Sequence, residues 1–168
     1  MGQTVGLTQE QIVAALPRLR RFARTLTRTR HDADDLVQIT LERALTRIEQ
    51  RRPDSRLESW MFGIMKNAWI DEVRTRVRRD RVLAPEEAAE HIGDSPNERQ
   101  VEVMSLQVAL ERLPDEQRLA VGLVLVEGLS YKEAAEVMEV PIGTLTSRLA
   151  RGREALAELL GDGQGVKA

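Results

Sequence analysis

The segment SYKEAAEVMEVPIGTLTSRLARGR, residues 130–153, holds the residue types and spacing that point most directly to chemistry. Ser130 and Glu133 form a capping box, small Ala134 and Ala135 sit where two helices must approach closely, and Val140 with Pro141 turns the chain into a second helix. That layout predicts a helix-turn-helix. On its second helix Thr144, Thr146, Ser147, Arg148, Arg151 and Arg153 are hydroxyls and guanidiniums with no acid among them, groups that bond phosphates and base edges in a major groove. Ile142, Leu145, Leu149 and Leu156 would hold the rear of that helix in a core. A merely solvated basic face accounts for Arg153 equally well.

A second constellation, WMFGIMKNAWIDEVRTRVRR at residues 60–79, runs an aromatic cluster into Arg74, Arg76, Arg78 and Arg79, with Arg81 just beyond. Aromatics beside arginines suit splayed, single-stranded bases. Trp60, Phe62 and Trp69 at helical spacing are also what a buried core looks like. The third is DADDLVQITLERAL, residues 32–45, preceded by His31. His31, Asp32, Asp34 and Asp35 lack a second His or a glycine-bearing calcium loop, so acids at a helix start, complementing its dipole, are the expectation, and no metal. No phosphate loop or nucleophile elbow is present, and the other histidine, His91, falls in a linker. Neither an enzyme nor a cofactor is expected.

The elements that must position these residues are all helical. Thr8 and Gln11 form a capping box for a first helix with Ile12, Leu16, Leu19, Phe22, Ala23 and Leu26 on one face and Arg18, Arg20, Arg21, Arg24 and Arg28 on the other. A second helix should start near Asp32 and bury Val37, Leu41, Ala44, Leu45 and Ile48, until RRPDS breaks it. The third, from about Leu57, carries Trp60, Met61, Ile64, Met65, Ala68, Val73 and Val77. The acidic stretch APEEAAEHIGDSP has two prolines and no periodicity, which predicts a linker. Beyond it, Val101, Met104, Val108 and Leu113 predict a fourth helix. A fifth runs from Asp115 to Val126 and ends at Gly128. The last helix should end near Leu160, ahead of a disordered tail. The fold class is thus all-α. Two small helical domains, 8–83 and 98–160, are joined by an acidic linker at 84–97, the second is a helix-turn-helix domain, and 161–168 forms the tail.

Charge follows the same segmentation. Up to Leu83 there are 17 basic and 11 acidic residues, net +6; residues 84–112 carry net -5 and residues 113–168 net -3. A basic block beside acidic segments is a signature of nucleic-acid contact. With no cysteine, no run of about 18 apolar residues and no basic, apolar leader, a cytoplasmic protein without membrane insertion is expected.

Three motifs in this order resemble the extracytoplasmic-function (group IV) sigma factors of bacterial RNA polymerase. Residues 32–45 resemble the family's polymerase-docking helix, 60–79 its promoter-melting and minus-ten helix, and EGLSYKEAAEVMEVPIGTLTSRLARGREAL its minus-thirty-five domain; the resemblance spans about Leu16 to Leu160. It implies that Asp35, Gln38, Glu42 and Arg43 grip the β′ clamp, with the β flap a further polymerase contact. It implies that the loop at residues 50–57 captures a flipped minus-ten base, with Trp60, Asn67, Arg74, Arg76, Arg78 and Arg79 on the melted strand. Thr146, Ser147 and Arg151 match base-reading positions, and Arg148 a phosphate contact. The acidic linker matches the segment threaded toward the active-site cleft and RNA exit channel. Two positions depart from the pattern: Thr146 stands where many members have Lys or Arg, and Gly152 where Ala is usual.

The partners implied are core RNA polymerase, promoter DNA and an anti-sigma factor. LPRLRRFARTLT followed by DADDLVQ resembles alphaproteobacterial general-stress members, which a small anti-sigma protein holds and a response-regulator mimic releases. The alternative from another class is a sigma-like decoy that sequesters an anti-sigma factor without touching promoters. A decoy needs no DNA-binding face, and here both faces keep their arginines. A stand-alone helix-turn-helix repressor would leave the first 80 residues unexplained.

Overall fold

Apolar residues three and four apart fold the first half of the chain around one seam. The computed structural model describes residues 2–82 and 98–164, with side chains for 9–82 and 105–161. In α1 (Gly2–Leu26) Ile12, Ala15, Leu19, Phe22, Ala23 and Leu26 are buried. The helix runs unbroken from Gly2, so Thr8 lies inside it and does not open it. It ends where the Thr27 N–H and hydroxyl both donate to the Ala23 carbonyl.

Thr29 then caps α2 (Arg30–Thr46) by accepting the Asp32 N–H at 3.0 Å. The α2 seam is Ala33, Leu36, Val37, Thr40 and Ala44, with the Thr40 hydroxyl donating to the Leu36 carbonyl. Leu45, expected in the core, is one position off that stripe and 54% exposed. Ile48 falls in a single 3-10 turn, Ile48–Gln50, and is only partly buried. After the break at residues 51–56, α3 (Leu57–Val82) buries Met61, Phe62, Ile64, Met65, Ala68 and Trp69. From Arg74 onward every α3 residue is exposed, Val77 included, contrary to expectation. Phe22 and Phe62 meet edge to face at 5.2 Å.

The second half builds its own helices and shares the core of the first. In α4 (Glu98–Arg112) Ala109 and Leu110 are buried and Leu113 follows them inward, whereas Val108, expected to face the core, is 42% exposed. Side chains of Val101 and Met104 lie outside the described residues. The α5 helix (Asp115–Val121) passes into one π turn (Gly122–Val126), closed by the Glu127 N–H on the Gly122 carbonyl. The wider turn carries Gly122 and Leu123 into the core and leaves Glu127 facing inward as well. A Cβ on Gly122 would stand 3.0 Å from the Phe22 ring, so this glycine lets the π turn reach α1.

Gly128, at φ 73, then turns the chain into α6 (Tyr131–Met138), capped by Ser130 accepting the Glu133 N–H. Glu139 at φ 58 and Pro141 lead into α7 (Ile142–Gln164), which buries Leu145, Leu149 and Gly152. This helix continues past Leu160, so the expected tail is helical to Gln164. One continuous hydrophobic cluster joins α1, α2 and α3 to the later helices, with α1 against the π turn and α3 against α6. The expected linker, residues 84–97, and the last four residues lie outside the described residues.

Candidate nucleic-acid interface

Three exposed surfaces carry the residues singled out from the sequence. On α2, Asp35, Gln38 and Glu42 are exposed on the side away from Leu36, Val37 and Thr40. Among the described residues their side chains meet His31, which pairs with Asp35 at 3.3 Å, and one another, Gln38 donating to Glu42 at 3.4 Å. Arg43 is turned toward α3, where it pairs with Asp71 at 3.2 Å. The strip is therefore three residues wide in reach, with Arg43 at its edge.

The second surface runs from the 51–56 loop along α3. Arg51 donates to the Ser55 carbonyl at 2.6 Å and Ser55 donates back to the Arg52 carbonyl at 2.8 Å, which folds the loop tightly. Trp60 is half-buried and Asn67 exposed, both beside a cavity of about 390 Å³. Phe62 and Trp69 belong to the core and cannot stack on bases. Arg74, Arg78 and Arg79 are exposed, while Arg76 pairs with Asp32 at 3.3 Å. Arg81 is exposed beside them, so four guanidiniums at this end of α3 are open to solvent among the described residues.

On α7 the buried Leu145, Leu149 and Gly152 set the orientation. Ser147 and Arg151, four apart, are both exposed on the outward side. Thr144 and Arg148 flank them half-buried, Arg148 pairing with Glu116 at 3.3 Å. Thr146 and Arg153 are exposed on the other flank, and the Thr146 hydroxyl donates to the Ile142 carbonyl. The six residues thus divide into a central pair and two edges.

Charged residues inside the molecule were not singled out from the sequence. The Glu127 side chain is fully buried and accepts from Arg21 Nη2 at 2.8 Å and Arg21 Nε at 2.9 Å, with Arg18 Nε at 3.4 Å. That hydrogen bond and the nearby negative charge raise the Arg21 pKa. Arg18 also pairs with Glu58 and donates to the Glu127 carbonyl at 2.6 Å. Arg118 donates to the carbonyls of Leu26, Glu111 and Leu113 and lies 5.9 Å from the Trp69 ring centre. Burial lowers its pKa, and its Nε has no acceptor among the described residues. The available signal was a charge at each end of an apolar run: Arg118 and Glu127 bracket LAVGLVLV.

Comparison with known proteins agrees with this geometry. Residues 12–66 match the family described as the sigma2 domain of PhyR, and residues 104–156 match sigma-70 region 4. The chain is 39% identical over 153 residues to the ECF RNA polymerase sigma factor EcfG of Rhodopseudomonas palustris strain TIE-1, covering 90% of this chain and 84% of that protein. It is 40% identical over 144 residues to SigM of Mycobacterium tuberculosis strain H37Rv, covering 85% and 71%. Among solved structures it resembles the sigma factor RpoE in complex with the anti-sigma factor NepR from Bartonella quintana, with a TM-score of 0.78, 32% identity and coverage of 92% and 96%. The chain belongs to the ECF RNA polymerase sigma factors, which direct the polymerase to promoters.

Proposed function

We propose that the α2 strip of Asp35, Gln38 and Glu42, with Arg43 at its edge, docks on the β′ clamp of core polymerase, and that the β flap engages the second half. The 51–56 loop, Trp60 and Asn67 hold an unstacked minus-ten base, while Arg74, Arg76, Arg78 and Arg79 track the melted strand. Thr146, Ser147 and Arg151 read minus-thirty-five bases, with Thr144, Arg148 and Arg153 at the backbone. Base flipping costs a few kcal/mol and stacking returns about 1–3 kcal/mol per base, so melting is favoured only when polymerase holds both DNA faces at the right spacing. Likeness to EcfG and to the NepR-bound RpoE supports a general-stress factor held by a small anti-sigma protein. Likeness to full-length sigma factors favours this role over that of a decoy, although the first-half match carries the name PhyR.

One observation carries the docking assignment. Asp35 and Gln38 are exposed side by side on a helix whose opposite face is wholly buried, so they are dispensable for folding. Replacing both by Ala in the full chain should leave helicity and duplex DNA binding unchanged, weaken core-polymerase binding and abolish promoter-dependent run-off transcription. A folded double variant transcribing at the wild-type level with core limiting would overturn the assignment.

A further inference from the structure

From Gln11 to His31 the chain carries six arginines and no acid. Two of them are engaged inside the fold, Arg18 by Glu58 and Glu127 and Arg21 by Glu127. The other four, Arg20, Arg24, Arg28 and Arg30, are exposed, and none of them is ion-paired among the described residues. Arg20 and Arg24 stand one turn apart on α1, about 6 Å along its axis, and Arg28 continues the row in the turn before α2. Folding does not account for this row. Burial first, and then the like charge of Arg28, lower the Arg118 pKa, so Arg28 opposes a buried cation instead of supporting it.

The row adjoins a surface already assigned to DNA. Arg28 and Arg76 line one cavity of about 250 Å³ with Trp69 and Val77, which joins the end of α1 to the basic end of α3. Carboxylates of Asp32, Glu72, Asp80 and Asp115 line that cavity too, but none belongs to α1, which has no acid after Glu10. The composition of the row favours phosphate over a protein partner. Among the described residues no large apolar side chain is exposed between Val13 and Leu45, whereas a protein interface needs an apolar centre and a DNA interface is polar and strongly positive. Guanidinium forks match phosphate oxygens in geometry as well as charge.

We propose that the α1 row of Arg20, Arg24 and Arg28 is a phosphate rail that holds the double-stranded promoter segment between the minus-ten and minus-thirty-five elements. This inference rests on the minus-ten assignment of the basic α3 end: a chain that reads both elements has the duplex joining them pass over its surface, and the row extends the α3 track in the direction away from Trp60 and Asn67. Contacts to phosphates carry no sequence information, so the rail adds affinity and leaves base preference to the other faces.

The test uses the full chain carrying Arg20→Gln, Arg24→Gln and Arg28→Gln, assembled with core polymerase on a promoter recovered by run-off selection from genomic fragments. All three side chains are exposed, so helicity and core-polymerase affinity should hold. On the fully duplex promoter the slope of log affinity against log salt should become shallower by about 2.7, three phosphate contacts at about 0.9 each, and by the same amount whatever the spacer sequence. On a template with the same minus-ten strand but no duplex upstream of it, the variant and the wild-type chain should bind equally. An unchanged slope on the duplex promoter, or an equal loss on both templates, would overturn the proposal. Weaker binding to core polymerase would assign the row to an acidic protein surface and overturn it as well. Arg78→Gln/Arg79→Gln tests the underlying reading separately. If that pair binds the shortened template as the wild type does while the α1 variant loses its slope on the duplex, the minus-ten assignment fails and the rail stands.

Discussion

Gly152→Ala sets helix propensity against packing, and the structure decides the sign. In a helix interior Gly is less favourable than Ala by about 0.8–1.0 kcal/mol, so the substitution should stabilise α7 on propensity alone. A Cβ at 152 would stand 2.8 Å from Val121 Cγ2 and 3.4 Å from the Gln117 carbonyl oxygen. Val121 is 2% exposed, and a β-branched side chain in a helix has one strongly preferred rotamer, so it cannot swing aside. Overpacking of this kind costs about 1–3 kcal/mol, which leaves a net loss of about 1 kcal/mol.

Urea denaturation followed by circular dichroism measures it, with Val121→Ala as the partner mutation. Alone, Val121→Ala should cost about 2 kcal/mol from lost burial and a cavity. In the Gly152→Ala background the new methyl occupies the vacated space, so the two should couple by at least about 1 kcal/mol. Because α7 must shift on α5, duplex DNA binding should weaken as well. A gain in stability of about 1 kcal/mol, or simple additivity, would refute the packing argument.

Arg151→Ala should cost about 1–3 kcal/mol of promoter binding and relax preference at one base pair, while Arg148→Ala should weaken binding evenly across sequences; a selection on randomised minus-thirty-five duplexes separates the two. The Arg148–Glu116 pair is half open to water, so its loss should lower stability by less than about 1 kcal/mol. Arg21→Ala strands the buried Glu127 carboxylate with one 3.4 Å contact and should cost about 3 kcal/mol, whereas Glu127→Gln returns half-exposed Arg21 to water and should cost about 1 kcal/mol. Equal losses in urea titrations would contradict that asymmetry.

Helix order and the helix-turn-helix were legible because each depends on local signals: the acidic residues from Asp32, the Ser130 cap, Gly128, Pro141 and three-four spacing. Individual faces were less so. Leu45, Val77, Val108 and Ile142, all expected in the core, are apolar and helical, yet exposed, because neighbouring helices leave them uncovered and no local pattern says where a neighbour ends. Thr8 failed as a start signal because the helix continues upstream of it. The α7 face was visible as a set of residue types, but its division into a central pair and two flanks needed the buried positions Leu145, Leu149 and Gly152 to fix the rotation. Contacts between the two halves could not be read at all. Glu133 looks like half of a capping box, and only its Ser130 half is used that way; its carboxylate instead crosses to Arg56, 77 residues away in sequence.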